Sequence, residues 1–204
     1  MKPPLPRLHA VTDERVARRS DVAAVAGALA EAGGGAVALH ARGARLTGRE
    51  HFTLASQFGN LASLLFVNDR LDVALAVHAD GVQLSLGSLP PIEARRLNAG
   101  WWIGRSVHSV DEARSALAEG ADYLLAGPVY ATATHPEVAP LGVERLGLIT
   151  GVGLPVIAIG GVTPARVRDL RVAGAHGVAA IRALWDATDP ARAAQEMLIT
   201  MDDT

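Results

Sequence analysis

Apolar residues along the chain fall into short, nearly continuous runs at residues 8–12, 36–41, 64–67, 81–84, 102–106, 122–126, 155–159 and 177–181. Their length and their valine and isoleucine content read as β-strands. Between them lie alanine-rich stretches with apolar residues at helical spacing, at about 21–31, 47–58, 71–78 and 109–119. Further helices are expected from Pro90, from Thr163 and from about Asp189. Ser109 with Glu112 has the spacing of a capping box, and Thr163 with Pro164 reads as an N-cap followed by the first helical residue.

Strands that are apolar throughout must be covered on both faces, which suits a parallel sheet wrapped by helices. Eight β–α units in succession predict a single α/β domain over residues 1–204, closed into a (β/α)8 TIM barrel. An open, doubly wound sheet is the alternative, because periodicity alone does not show closure. The longest irregular stretch, residues 127–141, contains Pro128, Pro136 and Pro140, and loops of that length are often functional.

Composition narrows the classes. The chain has 204 residues, half of them hydrophobic, close to the lower length for such a barrel, about 200 residues. With 19 basic and 21 acidic residues the formal charge is −2, and aromatic residues are 4%, so a nucleic-acid partner is not expected. Cysteine is absent, which excludes disulfides, thiolate catalysis and cysteine-ligated metals. Residues 1–8 are proline-rich without the apolar core of a secretory signal, and no apolar run has membrane-spanning length. A reduced, cytoplasmic protein with no membrane partner is expected, and assembly into a homo-oligomer is left open.

In barrels of this kind the residues just beyond each strand face the active site. Those positions hold His40 and Arg42, Asn68 and Asp69, Gln83, then Ser106 and His108. The sixth strand is followed by Thr132, Thr134 and His135, the seventh by Gly160 and Gly161, and the eighth by Ile181 and Arg182. The glycine pair, between an apolar strand and a helix start, lets main-chain N–H groups approach an anion, although a tight turn alone would also call for glycine. Arg182 can supplement such a phosphate site or simply sit exposed at a helix entry. Asn68 and Asp69 have the chemistry of a hard-cation site, but capping by Asp69 explains that residue too. One carboxylate is a poor cage, so no metal and no cofactor are assigned.

Histidines 51, 78 and 176 fall where packing or surface roles suffice, and His9 lies in the first strand as a core candidate. His40, His108 and His135 fall on the catalytic face, where each can transfer protons near neutral pH. Capping of the following helix is a sufficient alternative for His108.

The segments His9-Ala-Val-Thr-Asp13, Val67-Asn-Asp-Arg-Leu-Asp72, Ala79-Asp-Gly-Val-Gln-Leu84 and Ile103-Gly-Arg-Ser-Val-His-Ser109 resemble the thiamine phosphate synthase/TenI superfamily. So do Ala121-Asp-Tyr-Leu-Leu-Ala-Gly-Pro-Val-Tyr130, Thr132-Ala-Thr134 and Val156-Ile-Ala-Ile-Gly-Gly161, in order along nearly the whole chain. The resemblance implies a barrel that binds thiazole phosphate. Gly160, Gly161 and the Ile181–Arg182 turn would hold the phosphate, with Thr132 and Thr134 nearby. Arg42, Asn68, Gln83 and Ser106 would contact ligand.

Synthases of this superfamily join an aminopyrimidine pyrophosphate to the thiazole phosphate. They carry Gln-x-Arg-x-Lys after strand two, where this chain has Ala38, His40 and Arg42. They carry an acidic Gln-Glu-Asp pattern after strand four, where this chain has Ser85-Leu86-Gly87-Ser88, and a lysine where His135 stands. A departing pyrophosphate calls for cationic stabilisation, so these replacements predict loss of synthase activity. The Ile103–Ser109 segment looks like TenI proteins, thiazole tautomerases that relocate a proton without metal. The tautomerase histidine after strand six is Pro128 here, which leaves His135, His40 or His108 as the expected acid–base group. The expectation is therefore a TenI-like thiazole tautomerase, with a thiamine phosphate synthase or a non-catalytic thiazole phosphate binder as alternatives.

Overall fold

The computed structural model describes residues 2–61, 64–132 and 137–202. Eight strands pair in chain order, β1 (Leu8–Val11), β2 (Val37–Ala41), β3 (Leu64–Asn68), β4 (Gly81–Leu84), β5 (Trp102–Val107), β6 (Tyr123–Ala126), β7 (Val156–Ile159) and β8 (Gly177–Ala180). All pairings are parallel, and β8 returns to β1, closing the barrel. The (β/α)8 expectation holds, and the open sheet does not.

The two-residue period of a strand divides its side chains between two cores. Leu8, Ala10, Leu39, Val67, Val82, Ile103, Leu124 and Val178 point outward and are buried against the helices. Val11, Ala38, Phe66, Tyr123, Leu125, Ile157 and Ala179 point inward and fill the barrel axis. Both sets are apolar, which explains the unbroken hydrophobic runs in the sequence. Some inward positions break the pattern: His9, His40 and Gln83 are polar and have no exposed surface, and Asn68 is buried as well.

The covering helices are α1 (Glu14–Ala17), α2 (Val22–Gly33), α3 (Gly48–Gly59), α4 (Leu71–Ala76), α5 (Pro91–Leu97), α6 (Val110–Ala118), α7 (Gly142–Thr150), α8 (Val167–Val172), α9 (Arg182–Trp185) and α10 (Pro190–Asp202). At α3, Thr47 accepts from the Glu50 N–H, and the Glu50 carboxylate accepts from the Thr47 N–H, a complete capping box. At α6 only half of the expected box forms. Ser109 Oγ accepts from the Glu112 N–H at 3.2 Å, but the Glu112 carboxylate turns to the His108 N–H at 2.6 Å. Thr163 occupies an N-cap position, yet its side chain makes no cap bond, and a 3₁₀ turn at Pro164–Arg166 precedes α8.

The segment before β1 closes the N-terminal end of the barrel. Lys2 and Arg95 both pair with Asp122, at 2.7 and 2.8 Å, and Trp102 Nε1 donates to the Pro3 carbonyl at 3.1 Å. Leu5 is buried inside this end. The barrel therefore opens at the C-terminal ends of the strands.

Candidate functional site

At that open end lies a cavity of about 1160 Å³. Residues following seven of the eight strands line it, from Arg42 after β2 to Arg182 after β8, and Val11 contributes from the end of β1. Of the sequence candidates, Arg42, Asn68, Ser106, His108, Thr132, Gly160, Gly161, Ile181 and Arg182 all border it. Thr134 and His135 lie outside the described residues.

The glycine turn is built by its neighbours. Gly160 and Gly161 have φ of 95° and 65°, backbone that side chains with Cβ rarely adopt. The Gly160 carbonyl accepts from the Tyr130 N–H at 3.0 Å, and the Gly161 carbonyl accepts from Arg166 Nη1 at 2.6 Å. The Arg166 guanidinium is itself seated 4.4 Å from the centroid of the Tyr130 ring. With both carbonyls tied to the rim, the Gly161, Arg182 and Ala183 N–H groups meet no backbone carbonyl among the described residues. This is the donor arrangement an anion requires.

Cations outnumber anions around the mouth. Arg42, Arg70, Arg166 and Arg182 line the cavity, whereas Asp69 is the single carboxylate among the described lining residues. Arg70 is braced by Asp72 through bonds of 2.9 and 2.6 Å. Arg42 and Arg182 donate no side-chain hydrogen bond to another described residue. Sequence reasoning did not single out Arg70, in the loop after β3, or Arg166, in the turn before α8. Asp69 does not cap α4 as its position suggested. It adopts φ of 58°, and its Oδ1 accepts from the Ser85 N–H at 2.7 Å, joining the β3 and β4 loops.

The histidines separate by depth. His108 is at the rim, its ring 3.1 Å from the Glu112 carboxylate, whose oxygen also takes the His108 N–H. His40 does not border the cavity; it is fully buried beneath it, stacked on Phe66 at 4.9 Å and 11°. Burial pushes its pKa down to about 4, with Arg42 adding repulsion and the Asn68 hydrogen bond opposing. His9, beside it, is also lowered, by burial and by His40. Gln83 is likewise buried, and its Nε2 donates to Ser106 Oγ at 3.0 Å, so it reaches the cavity through that hydroxyl. His51, read as a packing residue, lines the wall with its Nε2 2.8 Å from the Ala41 carbonyl.

Residues 8–184 match the family model for thiamine monophosphate synthase. This chain belongs to that family. It is 39% identical over 198 residues to the thiamine-phosphate synthase of Chloroflexus aurantiacus, covering 94% of this chain and 90% of that one. It is 42% identical over 200 residues to the thiamine-phosphate synthase of Methanoculleus marisnigri, covering 93% and 92%. Among solved structures, thiamine phosphate pyrophosphorylase from Pyrococcus furiosus superposes with a TM-score of 0.81 at 33% identity, covering 97% and 96% of the two chains.

These relatives overturn the tautomerase expectation. Proteins alike over nine-tenths of their length are named as synthases. The expected loss of synthase chemistry counted residues missing from linear motifs. It did not count Arg70 and Arg166, which the loops return to the same cavity.

Proposed function

We propose that this chain is a thiamine-phosphate synthase, joining a thiazole phosphate to an aminopyrimidine pyrophosphate with release of pyrophosphate. The carrying observation is the cavity itself, where among the described residues four arginines face one carboxylate beside a glycine turn whose N–H groups meet no backbone carbonyl. Two phosphorylated substrates bring several negative charges into one site, and only such an excess of cation can hold them together. The thiazole phosphate fits the Gly160–Gly161 and Ile181–Arg182 turns, with Thr132 beside it. Arg42 and Arg70, on the opposite side, then receive the pyrophosphate, whose charge grows as its bond to carbon breaks.

Family chemistry of this kind uses Mg²⁺ on the pyrophosphate. Among the described residues no group of three histidine, aspartate or glutamate side chains can hold a metal. Mg²⁺ is commonly held by one or two carboxylates plus substrate phosphates, and Asp69 at the cavity edge fits that pattern. Bound there, the ion would neutralise charge on the leaving group. The protein's own part is to fix Asp69, which the Ser85 N–H does by holding Oδ1.

The experiment is incubation of the purified chain with both substrates and Mg²⁺, with thiamine phosphate detected after oxidation to its fluorescent thiochrome. Product that requires the protein and both substrates supports the reading. Absence of product at saturating substrate refutes it.

A further inference from the structure

His51 is a wall residue that no part of the proposed reaction uses. It stands in the first turn of α3, is 3% exposed, and borders the cavity. Its Nε2 lies 2.8 Å from the Ala41 carbonyl, and a carbonyl only accepts, so Nε2 carries the proton. The neutral ring then holds a lone pair at Nδ1. Among the described residues Nδ1 has no hydrogen-bond partner, yet it is not one of the unpartnered polar atoms sealed from solvent. The lone pair is open to the cavity that His51 lines.

The same helical turn brings a carboxylate alongside. Gly48 lies three residues before His51 on one face of α3, and a Cβ there would stand 3.1 Å from Arg70 Nη2. The missing side chain lets the loop after β3 lie against this face. Asp69 precedes Arg70 in that loop and also lines the cavity. Its Oδ1 is taken by the Ser85 N–H, and no described residue donates to Oδ2. The Arg70 charge is offset by Asp72 at 2.6 Å. Burial lowers the His51 pKa, opposed by the Ala41 carbonyl. Arg70 lowers it further while Asp72 and Asp69 raise it, and the net shift is downward, so the ring is neutral near pH 7.

An imidazole nitrogen and a carboxylate oxygen, both without partners on one wall, have the chemistry of a divalent-cation site. We infer that His51 Nδ1 joins Asp69 as the protein's share of that site and gives it a preference for first-row transition ions over Mg²⁺. Mg²⁺ is bound by oxygen and keeps its waters, whereas imidazole nitrogen suits the transition ions. One carboxylate is a poor cage by itself. A neutral second donor improves it without adding negative charge, so phosphate oxygens remain welcome as further ligands. That a pyrophosphate supplies those oxygens rests on the synthase reading; the two protein donors are tested without it.

Mn²⁺ reports its own ligands and serves as the probe. Titrated into the purified chain, with and without inorganic pyrophosphate, it should bind more tightly than Mg²⁺ in competition. Its electron spin echo should carry the modulation of a bound histidine nitrogen, shifted when histidine is labelled with ¹⁵N. His51→Gln should abolish that modulation and weaken Mn²⁺ at least about tenfold, with Mg²⁺ affinity within about twofold. His51→Asn, read in the same way, replaces it should the glutamine variant melt below the wild type. Asp69→Asn should weaken both ions. Bound Mn²⁺ without nitrogen modulation, modulation that survives in the His51 variants, or Mn²⁺ held no tighter than Mg²⁺ would overturn the inference. A chain that shows the modulation but forms no thiamine phosphate upholds the site and refutes only the synthase reading.

Discussion

Gly160 is pressed against Pro128, so that a Cβ built on the glycine would stand 2.5 Å from both Cα and Cβ of the proline. The end of β7 and the start of the loop after β6 can meet this closely only because one partner has no side chain. The Val129 N–H, donating to the Ile159 carbonyl at 2.8 Å, holds the same two segments together. Gly160→Ala must both push Pro128 away and sustain φ of 95° with a side chain. Such strain costs about 1–3 kcal/mol, which a denaturant melt will read as a lower midpoint at unchanged slope.

Gly161→Ala acts on binding as well as on stability. Its added Cβ would come within 2.7 Å of Tyr130 Cβ and 2.8 Å of the Ala131 carbonyl, at the point where the phosphate is proposed to sit. Calorimetric titration with thiazole phosphate should show affinity falling about tenfold or more, the effect of misplacing a main-chain donor to a charged group.

Arg182 makes a charge-dependent counterpart to that test. Its guanidinium borders the cavity and donates to no other described side chain, so its removal costs the fold little. Arg182→Met should leave the melting temperature near that of the wild type and weaken thiazole phosphate binding about 10- to 100-fold. Added salt should narrow the gap between the two proteins, since part of the lost term is screened.

The buried histidines set a pH dependence of stability. In the folded chain burial holds the His40 pKa at about 4, against an ordinary value of 6.5, and His9 is shifted the same way. Below the ordinary value the unfolded chain takes up protons that the folded chain refuses, so stability is full above about pH 6.5 and falls as pH drops toward 4. The loss should be on the order of 1–2 kcal/mol by pH 5 for His40 alone. Urea midpoints measured between pH 7 and 5 should drop for the wild type and drop less for His40→Phe.

Much of this architecture is written in the sequence, for a reason visible in β2. Val37, Leu39 and Ala41 face the helices while Ala38 packs into the barrel axis, so both faces demand apolar residues and the strand stands out as a run. Closure was inferred from the number of such units. The short helices α1 and α9 were missed because four residues are too few to show a period. Helix α7 was missed in part because it opens on Gly142 with φ of 76° and no capping side chain.

The site was most legible where function lies next to a strand end. Gly160, Gly161 and Arg182 were found by that rule. Arg166 was not, because it reaches the cavity from the turn before α8 and is aimed there by the Tyr130 ring and the Gly161 carbonyl. His40 was expected to meet substrate, but its inward position in β2, one residue before the strand's end, places it beneath the cavity floor. A linear motif records neither the depth of a side chain nor a cation returned by a later loop.

The measurement that bears most directly on that reading is the release of pyrophosphate, followed continuously while thiamine phosphate is quantified in the same reaction. The account predicts that the two products appear in equal amounts, only when both substrates and Mg²⁺ are present, and that Arg182→Met slows both together at limiting thiazole phosphate. Tight binding of thiazole phosphate with no pyrophosphate released at saturating aminopyrimidine pyrophosphate would contradict it.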